Sequence, residues 1–278
     1  RAFTSIVIVM FLMFLVFEKI TRYAHLRPTW EELPYSGKEA GKVIVYTSYN
    51  KSYADQPFVE LNSQILSKYC KFNDHEYRRI IHADDFMSPY WSRVYDLKKI
   101  CDSTPDNTII MYADADAIIA HPNKNVSINQ FIENIDHIHK NKNKDIYISE
   151  DPEKVHHFYN GIFNTGCFIV RNTEKSRKFI DKWMGKYNKG SKWVTDETGK
   201  WVCLSNGKFC NWSQDGYEQG EFSKLYSSEG KDIVQYLHWT TLACNDLFSK
   251  KCFVLHLMGY PNKIREEIFK YHLGKYLE

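Results

Sequence analysis

Two aspartates near the middle of this sequence have the residue type and spacing of a metal-binding pair. Asp114 and Asp116 directly follow the apolar run at residues 108–112, with alanines on either side and between them. In an open α/β sheet, ligands bind beyond the carboxyl ends of strands, so this pair lies where a site is expected. Two carboxylates combined with diphosphate oxygens suit Mg²⁺ or Mn²⁺. The alternative is a turn that carries solvated aspartates.

The spacing of the pair predicts different roles for the two carboxylates. In extended chain, residues two positions apart point the same way and are separated by about 6.6 Å. One carboxylate would then bind the metal directly, while the other would act through water or a ligand hydroxyl.

A histidine far along the chain could complete the same site. The apolar run at residues 252–255 ends at His256, which is followed by Gly259 and Lys263. Gly259 would let the backbone approach a phosphate, and Lys263 would neutralise phosphate charge. The pattern predicts His256 as a metal ligand beside Asp114 and Asp116, and the alternative is an ordinary core histidine.

The elements that must position these residues alternate between strands and helices. Short apolar runs predict strands at residues 43–46, 77–81 and 108–112, and proline-started helices begin at Pro57 and at Ser88-Pro89. This alternation is typical of parallel βαβ units, and it predicts a doubly wound α/β sheet.

The second half of the chain is less regular. We expect a helix at residues 128–135, strands at 146–148, 168–170 and 252–255, and a helix whose N-cap is Asn172. Residues 188–214 read as a long loop, and Ile264, Ile268 and Tyr271 as one face of a final helix. No linker divides these parts, so residues 43–278 are predicted to form one domain.

The composition fits a folded protein without a nucleic-acid partner. The 278 residues are 43% hydrophobic, which is enough for a substantial core. The 37 basic and 34 acidic residues give a net charge of +3, and no basic stripe stands out. A protein that binds nucleic acid through phosphate contacts normally shows such a stripe.

Cysteines that could form disulfides and asparagines that could carry glycans bear on which cellular compartment the protein occupies. Of the seven cysteines, Cys203 and Cys210 flank a short loop and are the favoured local disulfide, and an odd count leaves at least one thiol unpaired within the chain. Asn-x-Ser sequons occur at Asn50, Asn125 and Asn211. A glycan is not expected on Asn50, because this residue lies beside the predicted site.

The start of the sequence predicts a membrane anchor. Residues 2–17 contain no charged side chain, and residues 23–42 form a polar linker with prolines and glycines. The apolar run comes close to the ~20 residues that cross a bilayer. Residues 1–22 are therefore expected to anchor a single-pass type II membrane protein that faces the Golgi or ER lumen. A cleaved signal peptide and a soluble core helix are the alternatives.

Four motifs in order resemble those of nucleotide-sugar glycosyltransferases of the GT-A fold. They are Asp-x-Asp after the third strand, Asn164-Thr165-Gly166 before a strand, the pair Glu218-Gln219, and His-x-x-Gly from His256. The closest likeness is to the family that contains xyloglucan xylosyltransferases and galactomannan galactosyltransferases. The resemblance implies a GT-A type fold, Rossmann-like and doubly wound, with a mostly parallel sheet flanked by helices.

The resemblance also implies roles for individual residues. Asp114 would contact the ribose or the donor sugar, and Asp116 and His256 would bind Mn²⁺ or Mg²⁺, with Asp114 also a candidate ligand. Glu218 and Gln219 would form the pocket opposite the anomeric carbon, where Asp215 competes with Glu218 for the acidic role. The resemblance also implies that Thr47 and Tyr49 contact the nucleotide base and that Arg93 lies near the diphosphate. The remaining donor-binding residues are Asn164, Thr165 and Gly166 beneath the sugar, and Gly259 with Lys263, the last a looser match.

The implied activity is transfer of a hexose or pentose from a UDP- or GDP-sugar to a hydroxyl of a glycan or glycoconjugate. If the enzyme inverts, Glu218 or Asp215 would take the acceptor proton. If the enzyme retains the configuration of the anomeric carbon, as the resembled family does, the carboxylate would stabilise the oxocarbenium-like sugar. The resemblance favours retention. Trp201 and Trp212 are expected to contact the acceptor, and Trp183 to pack in the core.

Two other classes of protein compete with this interpretation. A metal-dependent phosphohydrolase also carries Asp-x-Asp after a strand, but it uses the motif at its first strand, whereas two predicted strands precede it here. A catalytically silent, carbohydrate-binding descendant of the fold is the second alternative. The intact acidic pair and His256 argue against a silent protein.

Overall fold

The computed structural model describes residues 41–140, 144–151, 163–189, 192–210, 216–245 and 252–278. The predicted anchor, nearly all of the predicted linker, and the residues Asn211, Trp212 and Asp215 lie outside these ranges. Within the described ranges, no helix has both the length and the hydrophobicity that a membrane span requires.

A mixed sheet of six described strands forms the centre of the fold, in the order β10-β5-β6-β3-β1-β2. Strands β2, β1 and β3 are parallel, as are β10 and β5, while β6 runs antiparallel to both of its neighbours. The carboxyl ends of the parallel strands therefore meet at one edge. The strands are β1 (Val43–Asn50), β2 (Glu76–His82), β3 (Ile109–Ala113), β5 (Ile146–Glu150), β6 (Phe163–Arg171) and β10 (Val234–Leu237).

Helices cover both faces of this sheet, as the alternation of side chains along β1 requires. Val43 and Val45 belong to one hydrophobic core, and Ile44 and Tyr46 to the other. Helices α2, α4 and α8 contribute to the first core, and α3, α5 and α6 to the second. The helices are α1 (Lys51–Ala54), α2 (Pro57–Phe72), α3 (Pro89–Ser103), α4 (Ile128–His139), α5 (Glu174–Met184), α6 (Glu218–Leu225), α7 (Trp239–Leu242) and α8 (Asn262–Leu277).

Local sequence signals explain where several helices begin. Helices α2 and α3 each start with a proline, whose fixed φ angle suits the first helical turn. Helix α5 begins with a capping box between Thr173 and Ser176. The predicted cap, Asn172, is therefore wrong by one residue; its side-chain amide instead donates to the carbonyls of Cys101, Thr104 and Pro105.

A second, two-stranded sheet carries the site. Strand β4 (Ala117–Ile119) pairs antiparallel with β11 (Val254–His256), so that His256 lies opposite Ala117. Because Ala117 directly follows Asp116, this register brings the histidine next to the acidic pair. The predicted strand at residues 252–255 is confirmed, shifted by two residues at its start and one at its end.

The predicted loop at residues 188–214 contains a small antiparallel sheet instead. Its strands are β7 (Lys192–Thr195), β8 (Trp201–Ser205) and β9 (Lys208–Phe209). The turn between β8 and β9 is Asn206-Gly207, and both residues have positive φ angles, as a type I′ hairpin turn requires. The predicted loop was wrong because that prediction took no account of Asn206-Gly207, a strong local signal for a hairpin turn.

Two disulfides occur in the described part of the chain. The predicted Cys203–Cys210 bridge is confirmed, and Cys244–Cys252 is a second bridge that the sequence did not predict. Of the two described sequon asparagines, Asn125 is exposed, whereas Asn50 is buried at the end of β1 and donates its amide to the carbonyl of Asp84.

The predicted apolar face of the last helix is wrong at two of its three positions, whereas Ile268 packs against the core as predicted. Ile264 and Tyr271 are 44% and 58% exposed, whereas Phe269, His272 and Tyr276 are buried. The helix is rotated toward this second set because Phe269 and Tyr276 belong to the core that also contains α2.

Candidate active site

The two aspartates lie on a tight turn at the end of β3, not in extended chain. The backbone N–H of Ala117 donates to the carbonyl of Asp114 at 2.9 Å, and the N–H of Asp114 donates to the carbonyl of Gly166 at 2.8 Å. This turn folds both carboxylates toward His256, so that one ligand atom from each of the three residues lies within 4.8 Å of the others. The expected separation of the carboxylates is thus wrong, and both can reach one cation.

His256 is held in place by its backbone. Its N–H donates to the carbonyl of Cys244, and the next N–H, of Leu257, donates to the carbonyl of Asp116, each at 2.8 Å. Its Nε2 atom lies 3.1 Å from Oδ1 of Asp116 and 3.8 Å from Oδ2 of Asp114. Burial disfavours the charged imidazole, but the two carboxylates outweigh this effect and raise the pKa of His256.

The donor set of this cluster fits a divalent metal ion. Two carboxylates and one imidazole nitrogen are ligands that Mn²⁺ accepts, and the carboxylates also suit Mg²⁺. Among the described residues this is the one group of three or more such side chains. The Asp114 side chain is 22% exposed, so a ligand can reach it from solvent.

A glycine makes room for the cluster. Gly166 lies in β6, and a Cβ atom built there would be 2.2 Å from Cε1 of His256 and 2.7 Å from Oδ2 of Asp114. Both distances are far below van der Waals contact, so a side chain at this position would displace His256 or Asp114. The predicted motif Asn164-Thr165-Gly166 therefore belongs to the site, although it lies inside β6 rather than before a strand.

Two arginines contact the two aspartates. The guanidinium of Arg93 makes a two-point contact with Asp114, at 3.0 and 3.1 Å. Arg265 lies 2.7 Å from Oδ2 of Asp116, and its Nε donates to the carbonyl of Leu257 at 3.1 Å. Burial would raise the pKa of Asp116, but His256 and Arg265 hold it below its usual range.

Arg265 is a residue that sequence reasoning missed. The cation that the sequence predicted in this segment was Lys263, as a partner for the donor phosphate, and it is exposed on the first turn of α8. Residues two positions apart on a helix do not share a face, so the cation that contacts Asp116 could not be chosen without knowing how α8 is rotated. Gly259 has φ +78, and the space around it is open.

Glu218 lies at the first residue of α6, close to Arg93 and Thr165. Its Oε1 accepts a hydrogen bond from Oγ1 of Thr165 at 2.9 Å and lies 3.8 Å from Nη1 of Arg93. Its Oε2 is buried and has no hydrogen-bond partner among the described residues. Burial raises the pKa of Glu218.

Three indole N–H groups hold the backbone that leads to Glu218. Trp91 and Trp193 both donate to the carbonyl of Gly216, at 2.8 and 2.9 Å, and Trp183 donates to the carbonyl of Glu218 at 2.8 Å. Trp183 is buried, as predicted, but it also contacts this backbone. Trp201, a predicted acceptor contact, donates its indole N–H to the carbonyl of Asp84 at 2.8 Å.

Gln219 and Asn164 both bind a buried carboxylate that the sequence did not single out. The amide nitrogens of Asn164 and Gln219 each donate to Asp151 at 2.8 Å. Asp151 directly follows β5, at the same sheet edge as the acidic pair. A lone aspartate after a strand gives no signal of such a role.

The residues predicted to contact the nucleotide base lie in the carboxyl half of β1, where this strand pairs with β2. Thr47 is buried, and its Oγ1 is 3.2 Å from the hydroxyl of Tyr77. The hydroxyl of Tyr49 accepts a hydrogen bond from Arg79 at 2.7 Å. Both residues belong to the sheet edge that carries the site.

Comparisons with known proteins place this geometry among glycosyltransferases. The sequence model described as the galactosyl transferase GMA12/MNN10 family matches residues 39–207. Two Arabidopsis thaliana proteins, named probable xyloglucan 6-xylosyltransferases 3 and 5, are 23% and 22% identical to this chain over 92% of its length. The chain spans 53% of the length of each of these relatives.

A solved structure shares the fold. The glycosyltransferase involved in the glycosylation of the major capsid of PBCV-1 superposes with a TM-score of 0.57 at 13% identity, over 83% of this chain and 99% of that one. This likeness confirms the predicted GT-A fold.

Proposed function

The chain belongs to the galactosyl transferase GMA12/MNN10 family, and we propose that it transfers a hexose or pentose from a nucleotide-diphosphate sugar to a hydroxyl of a glycan. The family description names galactose and the Arabidopsis relatives are named for xylose, which supports a donor sugar of either size. A UDP- or GDP-sugar is the proposed donor.

One observation carries this proposal. Asp114, Asp116 and His256 are distant in sequence but offer ligand atoms within 4.8 Å of one another. They lie at the edge where the parallel strands end and where open α/β sheets bind ligands. A divalent ion bound there, Mn²⁺ or Mg²⁺, would stabilise negative charge on the departing nucleoside diphosphate.

The protein side chains would share the remaining work. Arg93 places a fixed positive charge between Asp114 and Glu218, where it would attract the diphosphate. Oε2 of Glu218, which has no hydrogen-bond partner among the described residues, would stabilise positive charge on the sugar. This role fits a reaction that retains the configuration of the anomeric carbon. Asn164 and Gly166 would lie beneath the sugar, and Thr47 and Tyr49 would contact the base.

We also propose that the protein is anchored by residues 2–17 and faces the Golgi or ER lumen. Cys203–Cys210 and Cys244–Cys252 support this proposal, because disulfides persist in oxidising compartments and are rare in the cytosol.

A donor panel tests the proposed activity. The protein is incubated with UDP- and GDP-sugars and Mn²⁺, with and without EDTA, and the products are identified by mass. We expect hydrolysis of one donor, its loss with EDTA, and at least a tenfold loss in Asp116→Ala, because a buried metal ligand is removed. The exposed Asp102, paired with Lys98 on α3, provides the control variant Asp102→Ala, which should match the wild type.

The same assay separates the rival functions. Turnover of phosphomonoesters without turnover of any nucleotide sugar would identify a phosphohydrolase. Turnover of no substrate, in a folded protein that binds neither Mn²⁺ nor a donor, would contradict the proposal.

A further inference from the structure

Asp151 is a fully buried carboxylate that binds two side-chain amides at once. Its Oδ1 accepts from Nδ2 of Asn164 and its Oδ2 from Nε2 of Gln219, both at 2.8 Å. Its exposed fraction is 0%. It is separate from the metal cluster of Asp114, Asp116 and His256.

The carbonyl oxygens of the same two amides accept hydrogen bonds from the backbone of β6. Oδ1 of Asn164 accepts from the N–H of Gly166 at 2.9 Å, and Oε1 of Gln219 accepts from the N–H of Thr165 at 3.1 Å. The segment Asn164-Thr165-Gly166 is thus linked by hydrogen bonds, through two amides, to the single carboxylate of Asp151.

The carboxylate determines which way both amides point. An ionised carboxylate can only accept hydrogen bonds, whereas an amide donates at one end and accepts at the other. Once ionised, above its pKa of about 7, Asp151 therefore forces both NH₂ groups toward itself and both carbonyl oxygens toward the backbone N–H groups. Any residue with a donor at this position would oppose one of the two NH₂ groups.

The burial of this carboxylate is costly, which argues against a mere packing role. Removal from water disfavours the charged form and raises the pKa of Asp151 to about 7, although the hydrogen bonds from Asn164 and Gln219 oppose this shift. Groups with such shifts cluster at functional sites.

We propose that Asp151 is a positioning residue whose carboxylate fixes the orientation of the Asn164 and Gln219 amides, and through them the floor of the donor-sugar pocket. This inference rests on the proposed glycosyltransferase function. It assigns to Asp151 no contact with substrate.

An exchange of carboxylate and amide tests the proposal. In Asp151→Asn, the new amide opposes the NH₂ group of Gln219 or of Asn164; in Gln219→Glu, two carboxylates face each other. In the double variant D151N/Q219E, position 151 donates to position 219 and still accepts from Asn164, while position 219 still accepts from Thr165. Every polar atom of the original network has a partner again.

Three quantities are measured for the wild type, the two single variants and the double variant: the melting temperature, and the kcat and KM for donor hydrolysis. We expect each single variant to lose about tenfold or more in kcat, since a buried hydrogen bond is replaced by an unpaired group. The double variant should exceed both single variants in kcat and in melting temperature. Asp145→Asn is the control, because Asp145 is a buried carboxylate before β5 that binds Thr173 and not the site; its kcat should equal that of the wild type.

Three results would overturn the proposal: wild-type kcat in Asp151→Asn, a double variant no better than the worse single variant, or a recovered melting temperature without recovered kcat. A folded wild-type protein that hydrolyses no donor and binds neither Mn²⁺ nor a donor would instead contradict the proposed function, and the melting temperatures would still test the hydrogen-bond exchange.

Discussion

The Nε2 atom of His256 lies 3.1 Å from Oδ1 of Asp116, although 140 residues separate them. The contact is a consequence of strand pairing, because β11 ends opposite the first residue of β4. The backbone N–H of Leu257 secures the same register by donating to the carbonyl of Asp116. The proposed metal site is therefore built on paired backbone rather than on flexible loops.

A side chain at Gly166 should destroy this site. In Gly166→Ala the added methyl group would overlap His256 and the Asp114 carboxylate, so we expect metal-dependent donor hydrolysis to fall at least about tenfold and the melting temperature to decrease. The control is Gly274→Ala on α8, where a Cβ meets no atom within 4 Å. This change should leave activity unaltered and raise the free energy of unfolding by up to about 1 kcal/mol. Full activity in Gly166→Ala would show that the close approach is not needed.

The disulfide next to β11 should affect the metal site, and the other disulfide should not. The N–H of Cys244 donates to the carbonyl of Val254, and its carbonyl accepts from the N–H of His256. Removing this bridge in C244A/C252A should cost about 2–5 kcal/mol of stability and weaken Mn²⁺ binding. The bridge Cys203–Cys210, between β8 and the end of the β8–β9 hairpin, provides the matched variant C203A/C210A. Equal Mn²⁺ affinities in the two double variants would contradict the link between Cys244 and His256.

Stability should depend on pH through Asp151. Its folded pKa of about 7 lies above the ~3.9 of an unfolded aspartate, so the folded state holds the proton more tightly. The stabilisation is complete below about pH 4 and is lost as pH rises through about 7. Relative to Asp151→Asn, the wild type should therefore lose free energy of unfolding between pH 4 and 7, by on the order of 1.4 kcal/mol per pH unit. Urea unfolding at several pH values measures this difference, and parallel profiles would mean that Asp151 titrates normally.

Residue type and strand-end position were sufficient to predict that Asp114, Asp116 and His256 lie together. Asp114 and Asp116 follow β3, His256 is the last residue of β11, and ligands in such folds bind beyond the carboxyl ends of strands. The expected distance between the two carboxylates was wrong, because a hydrogen bond from the Ala117 N–H to the Asp114 carbonyl closes a turn where extended chain was assumed. The pairing of β4 with β11 joins distant parts of the chain and leaves no local sequence signal.

The residues around the cluster could not be found in this way. Arg265 contacts Asp116 because core packing sets the rotation of α8, which the sequence does not show. Asp151 binds Asn164 and Gln219, 13 and 68 positions away, and Trp193 binds the carbonyl of Gly216, 23 positions away. By contrast, the Asn206-Gly207 hairpin turn was a local signal that the sequence did contain.

Binding of Mn²⁺ to the free protein tests the central claim most directly. Titration of Mn²⁺ into the wild type, His256→Ala and Asp114→Asn, followed by electron paramagnetic resonance, gives the affinity without any substrate. His137→Ala is the control, since His137 is exposed on α4. We predict that the wild type and the control bind one Mn²⁺ with equal affinity and that the other two variants bind at least about tenfold more weakly. Equal affinity in all four proteins, or no binding by the wild type, would contradict the account.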